Sequence, residues 1–256
     1  MKKALLVLSF GTSVPAARKS IFAVEEALKA VSDRDFFRAF TSPTIRRILA
    51  RKGETVWSLP EALEALEEMG YADVAIQPTH LLYGYEYDNI RETVTQWNGR
   101  FPVLRLGQPL LATQEDLFCL ADCVTKAYAP EDGVLVLMGH GTAHFANMVY
   151  PAFQTVLRSR GHENVLVGTV EGWPDFDEVQ AGLQAMGKKQ VLLAPLMLVA
   201  GDHALNDMAG EDGWKGQLEQ SGFQVSCIME GLGMLEPIQE MYAAKCKALL
   251  ENEHGL

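Results

Sequence analysis

The feature that most constrains the fold is the regular alternation of short apolar runs with amphipathic segments along all 256 residues. Apolar runs bounded by turn residues are typical of buried strands, and the segments between them have helical periodicity. Strands that alternate with helices form parallel sheets covered by helices, so the sequence predicts an α/β fold. The predicted strands are 4–10, 36–40, 73–78 and 102–106, then 133–138, 164–170, 190–195 and 223–229.

The amphipathic segments fill the gaps between these strands. The predicted helices are a segment with an apolar stripe from Ile21 to Val31, then 43–52, 60–70, 87–98, 113–128, 144–159, 176–186, 204–220 and 236–251. The stretch YAPEDG (128–133) is a plausible junction, with four predicted strands on each side of it.

Two short matches between the halves indicate an internal duplication. ALLVLSFGTS (4–13) is similar to VLVLMGHGTA (134–143), and PTHLLYGYEYDN (78–89) is similar to PLMLVAGDHALN (195–206). Both matches follow strands and occur in the same order. The sequence therefore predicts two similar α/β lobes, 1–128 and 129–256. Each lobe is expected to hold a four-stranded parallel sheet flanked by helices, with an active cleft between the lobes.

Composition and charge exclude several classes of protein. The formal net charge is −11 and no basic face is apparent, which argues against a nucleic-acid partner. No apolar stretch is as long as a membrane span, and the run Ala4–Leu8 is too short for a signal peptide. The four cysteines are scattered, as is usual for free thiols in a reducing compartment. We therefore expect a cytoplasmic protein without a membrane partner. A homo-oligomer is compatible with the sequence.

Three candidate metal ligands follow strands of the second half. His140 lies in GHGTAH (139–144), Glu171 follows the strand 164–170, and His203 lies in GDHALND (201–207). Ligands bind beyond the carboxyl ends of parallel strands, and two imidazoles with one carboxylate suit a divalent transition metal with open coordination positions. Gly139 and Gly141 would let a ligand approach the turn closely.

Structural interpretations of the same residues stay open. His140 could belong to a simple turn, His203 to the start of a helix, and Glu171 could bind backbone amides or a lysine. His144 is either a surface residue, which we favour, or a spare ligand.

The first half has Phe10 and Glu86 where the second has His140 and His203. His80 follows a strand there and is expected to line the cleft. The tyrosines near it are either core or a wall for a flat ligand; they are Tyr83, Tyr85 and Tyr87.

Five stretches carry a resemblance to a known family: KALLVLSFGTS (3–13), DRDFFRAFTS (33–42), GHGTAH (139–144), VEGWPD (170–175) and PLMLVAGDHALNDMAGEDGWK (195–215). From residue 2 to near its C-terminus the chain resembles the anaerobic cobalt chelatases. These class II chelatases act on sirohydrochlorin in the early-cobalt route to vitamin B12. The last stretch is the most specific of the five.

The resemblance implies an activity and a role for each ligand. The family shares the two-lobed fold of the ferrochelatases and inserts Co²⁺, its substrate metal, into sirohydrochlorin without ATP and with no organic cofactor. Two histidines and a glutamate hold the metal, and their motifs fall on His140, Glu171 and His203. One histidine is the proton acceptor, and we assign this role to His140. The chain reads TAHFAN (142–147) where relatives have two adjacent histidines, which leaves a role for His144 in doubt.

Sirohydrochlorin is a polycarboxylate, so an acidic protein needs local donors for it. The backbone amides and hydroxyls of SFGTS (9–13) are suited to this task at a helix N-terminus. The predicted substrate-binding residues are Ser9, Phe10, Gly11, Thr12, Ser13, His80, Tyr83 and Glu86.

Two alternatives stay open. The chain could be a non-catalytic carrier of tetrapyrrole or metal, or a chelatase whose physiological metal is Fe²⁺ or Ni²⁺, because the same ligands suit all three ions.

Overall fold

The structure is a computed structural model that describes residues 1–130, 132–201 and 203–251. Strands and helices alternate along the chain, as the sequence predicts. The strands are β1 (Lys2–Ser9), β2 (Asp35–Phe40), β3 (Tyr71–Pro78), β4 (Val103–Leu106), β5 (Val134–Gly139), β6 (Val165–Thr169), β7 (Gln190–Pro195) and β8 (Gln224–Cys227). The α-helices are α1 (Arg18–Ala30), α2 (Pro43–Arg51), α3 (Leu59–Glu68), α4 (Tyr85–Gln96), α5 (Gln114–Tyr128), α6 (Val149–Ser159), α7 (Phe176–Met186), α8 (Trp214–Gln220) and α9 (Glu236–Glu251). No helix in the described ranges combines the length and the apolar character that crossing a bilayer requires.

Local sequence signals explain where several helices begin and end. Ser42 accepts a hydrogen bond from the Ile45 amide at the start of α2, where Pro43 takes the first helical position. Ser58 with Glu61 forms a reciprocal capping box at α3. Gly187 ends α7 in the left-handed conformation, with φ of 66°.

Two parallel sheets form the cores of two compact units. Unit 1 contains Met1–Ala112 and the C-terminal segment from Glu236, and its strand order is β2-β1-β3-β4. Unit 2 contains Thr113–Leu235, and its strand order is β6-β5-β7-β8. All strand pairs in both sheets are parallel. The predicted pair of four-stranded parallel sheets is therefore confirmed.

The registers of the two sheets support the predicted duplication. Leu8 pairs with Pro78 in unit 1, and Met138 pairs with Pro195 at the matching place in unit 2. The residue after each proline donates its amide to the same partner, Thr79 to Leu8 and Leu196 to Met138. The two sequence matches thus occupy equivalent positions in the two sheets.

The units differ from the predicted lobes at both ends. Helix α5, expected in the first lobe, belongs to unit 2 and packs against α6. Helix α9, expected in the second lobe, packs against α1 and β3 of unit 1. Its residues Ile238, Tyr242 and Cys246 are fully buried, and the Tyr242 hydroxyl donates to the Thr79 carbonyl at 2.7 Å. The predicted boundary at residue 128 therefore differs from the division into compact units, because α5 packs in unit 2 and α9 packs in unit 1.

Two predicted helices are interrupted. The segment 204–220 is a π-helical turn at Ala204–Met208, a break, and then α8. Gly210 and Gly213 permit the close packing at the break, since a Cβ at these positions would lie 2.3 Å and 2.6 Å from the Asn206 carbonyl oxygen. The segment 144–159 begins with a 3₁₀ turn at Phe145–Met148 before α6.

Candidate functional site

The three predicted metal ligands follow three adjacent strands of unit 2. His140 directly follows β5, the central strand of the three, and Glu171 lies two residues beyond the end of β6. His203 follows β7 and directly precedes the π-helical turn. Because parallel strands end at one edge of the sheet, this topology brings the three residues to the same edge. Asp202, in the same motif as His203, lies outside the described residues.

The two imidazoles are in contact. The ring centroids of His140 and His203 are 4.4 Å apart, and the rings are nearly perpendicular at 80°. Nδ1 of His140 lies 3.8 Å from Oε2 of Glu171. The side chains of His140, Glu171 and His203 are 43%, 59% and 40% exposed, so a dissolved metal ion can reach all three.

Each histidine uses Nδ1 in a hydrogen bond. Nδ1 of His140 is 2.9 Å from the Gly141 carbonyl oxygen, and Nδ1 of His203 is 2.6 Å from Oδ2 of Asp207. A carbonyl and a carboxylate only accept hydrogen bonds, so we assign the ring proton to Nδ1 in both residues. Nε2 of each ring then has a lone pair that can bind a metal ion or accept a proton.

Glycines let the loop after β5 approach its neighbours. Gly141 has φ of 82°, and a Cβ there would lie 2.6 Å from the Gly172 nitrogen. A Cβ on Gly139 would lie 2.2 Å from the Tyr150 ring. The Glu171 amide donates to the His140 carbonyl oxygen at 2.7 Å, which holds the backbones of two predicted ligands together. The glycines flanking His140 thus serve this close approach.

Two residues behind this loop were not predicted as part of the site. The buried Asn147 accepts a hydrogen bond from the Thr142 amide and donates one to the Trp173 carbonyl, so it joins the loops that carry His140 and Glu171. Tyr150 accepts a hydrogen bond from the Gly141 amide, and burial raises the pKa of its phenol. Both residues follow the GHG turn within one helical segment, but helical periodicity alone does not indicate that they face back toward it.

His144 has a local role. Its Nδ1 accepts a hydrogen bond from the Ala146 amide at 3.0 Å and so caps the 3₁₀ turn. The half-buried ring therefore makes a local hydrogen bond within the loop. This role fits the favoured interpretation, a surface residue, better than a role as a spare ligand.

Large apolar side chains are exposed close to the predicted ligands in sequence. Phe145, Trp173 and Leu205 are 84%, 51% and 47% exposed. Exposed apolar side chains grouped around polar residues are typical of binding surfaces. Sequence reasoning missed them because apolar residues in such segments are usually assigned to the core.

A cavity of about 530 Å³ in unit 2 is lined in part by Asp207. Its lining includes Val170, Asp207, Glu211, Asp212 and Trp214. Val170 precedes Glu171 and Asp207 contacts His203, so the cavity adjoins the candidate site.

In the part of the chain that the structure describes, no group of three or more His, Cys, Asp or Glu side chains is arranged to hold a metal ion. Metal binding by the three residues stays a prediction.

The predicted substrate-binding segment SFGTS lies in unit 1 after β1. Ser9 and Thr12 are buried, and the Ser9 hydroxyl oxygen accepts a hydrogen bond from the Thr79 hydroxyl. The Thr12 hydroxyl accepts from the Val14 amide. Both hydroxyls therefore support the loop. Helix α1 begins only at Arg18, so this segment is not directly at its N-terminus.

The other members of the segment differ in exposure. Phe10 is 50% exposed, and Gly11 has φ of 96° with the Phe40 ring 2.6 Å from where its Cβ would lie. Ser13 is half-buried, and its carbonyl accepts from Lys52. Phe10 is thus the most accessible side chain of the predicted segment.

The remaining candidates of unit 1 lie near the end of β3. Both ring nitrogens of His80 are buried with no hydrogen-bond partner, and burial lowers the pKa of this imidazole to about 4. Tyr83 is 36% exposed and packs edge-to-face on the buried Tyr87 at 4.8 Å between ring centroids. Glu86 is half-buried in the first turn of α4. Their roles toward a substrate remain predictions.

The sequence matches the family Cobalt chelatase (CbiK) over residues 3–251. The chain is 39% identical over 251 residues to the sirohydrochlorin cobaltochelatase of Salmonella typhimurium, with 95% of each chain covered. It is 32% identical over 250 residues to sirohydrochlorin cobaltochelatase CbiKC of Nitratidesulfovibrio vulgaris, covering 94% of this chain and 88% of that protein.

This chain belongs to the cobalt chelatase family. The fold agrees, since the structure of SirB from Bacillus subtilis with Fe³⁺ superposes with a TM-score of 0.69 at 17% identity, covering 98% of this chain and 97% of SirB. The resemblance of the sequence predicted the cobalt chelatase family, and the family match confirms it.

Proposed function

We propose that this cobalt chelatase inserts Co²⁺ into sirohydrochlorin without ATP, in the biosynthesis of cobalamin. The observation that carries the proposal is the contact of His140 with His203, next to Glu171, at one edge of the unit 2 sheet. The relatives from Salmonella typhimurium and Nitratidesulfovibrio vulgaris are sirohydrochlorin cobaltochelatases. The resemblance of the sequence implies ligand roles for the same three residues.

Insertion requires two exchanges of bonds. The metal-free macrocycle carries two N–H protons, and Co²⁺ carries water. As Co²⁺ forms bonds to the four ring nitrogens, the two protons leave to a base and to water, and the metal gives up its water and its protein ligands. A neutral imidazole is suited to accept a proton near neutral pH.

We divide these tasks between the three residues. His203 and Glu171 are proposed to hold Co²⁺, and His140 is proposed to accept a ring proton through Nε2. The metal has to leave the protein, so ligands that are half exposed and few in number suit the task better than a closed tetrahedral site. The exposed apolar side chains of Phe145 and Trp173 are suited to contact the faces of a flat macrocycle.

The test is anaerobic insertion into metal-free sirohydrochlorin, followed by absorbance. Wild type is expected to convert the substrate with Co²⁺ faster than the uncatalysed reaction. His203→Ala and His140→Ala are each expected to lose about 100-fold or more in rate, the range of a lost base or ligand. His162→Ala, a histidine outside the site, is the matched control and is expected to keep full activity.

The outcomes separate this proposal from its alternatives. A protein that binds Co²⁺ or the tetrapyrrole but gives no turnover would be a carrier. Faster insertion of Fe²⁺ or Ni²⁺ than of Co²⁺ would indicate that the faster ion is the physiological metal. Full activity in His203→Ala would remove this residue from the site.

We also propose that the reaction takes place in the cytoplasm. No disulfide bond joins any of the four cysteines, all of which the structure describes; they are Cys119, Cys123, Cys227 and Cys246. Free thiols persist in a reducing compartment.

A further inference from the structure

Asp207 is the closest charged partner of a predicted metal ligand. Its Oδ2 lies 2.6 Å from Nδ1 of His203, and both side chains are 40% exposed. The two residues are four apart in sequence, across the π-helical turn Ala204–Met208. A hydrogen bond from an imidazole N–H to a carboxylate of this length is charge-assisted and therefore strong.

The turn that carries this pair is fixed from both sides. Ala204 and Met208 are fully buried in the core of unit 2, which anchors the inner side of the turn. A Cβ on Gly213 would lie 2.8 Å from the Asp207 carbonyl oxygen, so the following loop packs directly against the Asp207 backbone. The backbone that carries Asp207 is thus held in place by contacts that its carboxylate does not make itself.

Among the residues that the structure describes, His140 has no comparable partner. Its Nδ1 donates to the neutral carbonyl of Gly141, and the carboxylate of Glu171 lies 3.8 Å away, beyond hydrogen-bond distance. The two imidazoles of the site therefore differ in what orients them, an anion for His203 and a neutral group for His140.

From this difference we propose that Asp207 is a positioning residue that makes His203 the metal-holding imidazole. The inference rests on the proposed function. By accepting the Nδ1 proton, Asp207 keeps the Nε2 lone pair of His203 directed outward in one tautomer and one ring orientation. Hydrogen-bond partners of this kind strengthen metal binding by the histidine that they orient. In other metal sites their removal lowers the metal affinity by about 10–100-fold.

A rival explanation is that Asp207 only adds negative charge near the metal. Glu211 and Asp212 line the same cavity and carry the same charge. The test therefore compares Asp207→Ala and Asp207→Asn with Asp212→Asn, which removes one negative charge from the same cavity. Asp207→Asn keeps an oxygen that can accept the imidazole proton.

The readouts are the Co²⁺ affinity without tetrapyrrole, from the Co²⁺ visible spectrum, and the split between KM for Co²⁺ and kcat. Asp207→Ala is expected to weaken Co²⁺ binding by about 10–100-fold and to alter the spectrum of bound Co²⁺. Asp207→Asn is expected to fall between Asp207→Ala and wild type, and Asp212→Asn to change the affinity by less than about twofold. A melting temperature near that of wild type identifies the variants that fold. If Asp207→Ala does not fold, the comparison is made with Asp207→Asn alone.

Two results overturn the inference: unchanged Co²⁺ affinity in a folded Asp207 variant, or an equal loss in Asp212→Asn. A wild type that binds Co²⁺ but does not metallate sirohydrochlorin overturns the proposed function, and the affinities still decide the role of Asp207. A wild type that does not bind Co²⁺ overturns both.

Discussion

Histidines of this chain differ in what surrounds their ring nitrogens. His140 and His203 are partly exposed with Nδ1 hydrogen-bonded, so Nε2 is available for chemistry. His80 has both nitrogens buried without a partner. Residue type and position after a strand are the same for His80 and His140, so the sequence alone assigned both to the site. Only the packing separates an accessible imidazole from a buried one.

Burial of His80 predicts a loss of stability in mild acid. Its pKa is about 4 in the folded chain, against about 6.5 in an unfolded one. Below pH 6.5 the unfolded state therefore binds more protons, and the free energy of unfolding decreases as the pH falls from about 6.5 to about 4. Once the pH is below both pKa values, the free energy of unfolding has decreased by about 3 kcal/mol. Asp73 adds little in this window. The Arg34 guanidinium holds the pKa of its carboxyl below the ordinary value, so the stability that it contributes begins to be lost only at about pH 5 and is lost mostly below about pH 4.

Urea unfolding of the wild type and His80→Leu at pH 7.5 and pH 5 measures this effect. The difference in unfolding free energy between the two pH values is expected to be smaller in His80→Leu, because leucine cannot take up a proton. His162→Leu is the control. An identical pH dependence in wild type and His80→Leu would contradict the prediction.

At the scale of elements, the strands and most helices follow from periodicity and caps. The exception nearest the site is 204–220, where two glycines permit close contacts that end the turn and begin a new helix at Trp214. Helical spacing alone could pair His203 with Asp207, but it cannot show which of the neighbouring acidic residues accepts the bond. That choice depends on the buried side of the turn, which is a tertiary contact.

Helix α9 provides an element-scale prediction, because it follows unit 2 in sequence but packs in unit 1. Tyr242 is fully buried on it and donates to the Thr79 carbonyl. Tyr242→Ala is expected to cost about 3–5 kcal/mol of stability from the cavity it leaves. Tyr242→Phe loses the hydrogen bond alone and is expected to cost about 1 kcal/mol.

Hydrogen exchange locates the damage. Amides of β1 and β3 in unit 1 are expected to exchange faster in Tyr242→Ala, while those of β5 and β7 keep their protection. Faster exchange confined to β5 and β7 would place α9 with the second half of the chain, as the sequence boundary predicted.

The whole molecule repeats one topology with unequal chemistry. The Glu171 amide donates to the His140 carbonyl in unit 2, and at the matching place in unit 1 the Ser42 amide donates to the Phe10 carbonyl. The backbone hydrogen bond is therefore kept in both units, while all three predicted ligands lie in unit 2. The sequence could predict the duplicated sheets, because strand periodicity is local. It could not assign α5 and α9 to their units, because an apolar helix face does not specify which sheet it covers.

The charge of the whole molecule acts in opposite directions on the two substrates. At a net charge of −11 the protein attracts Co²⁺ and repels a polycarboxylate such as sirohydrochlorin. Salt screens both interactions, since the Debye length falls from about 20 Å at 0.02 M to about 6 Å at 0.3 M. Over this range KM for Co²⁺ is expected to rise and KM for sirohydrochlorin to fall, each by about two- to fivefold.

Steady-state insertion rates at several ionic strengths test this expectation. The turnover number is expected to change little, because the proton transfer and ligand exchange take place at short range. Sodium perchlorate and sodium chloride at equal ionic strength distinguish screening from chloride binding to Co²⁺, which only the second salt can cause. A shift of both KM values in the same direction would show that local groups at the site, rather than the field of the whole protein, control the approach of the substrates.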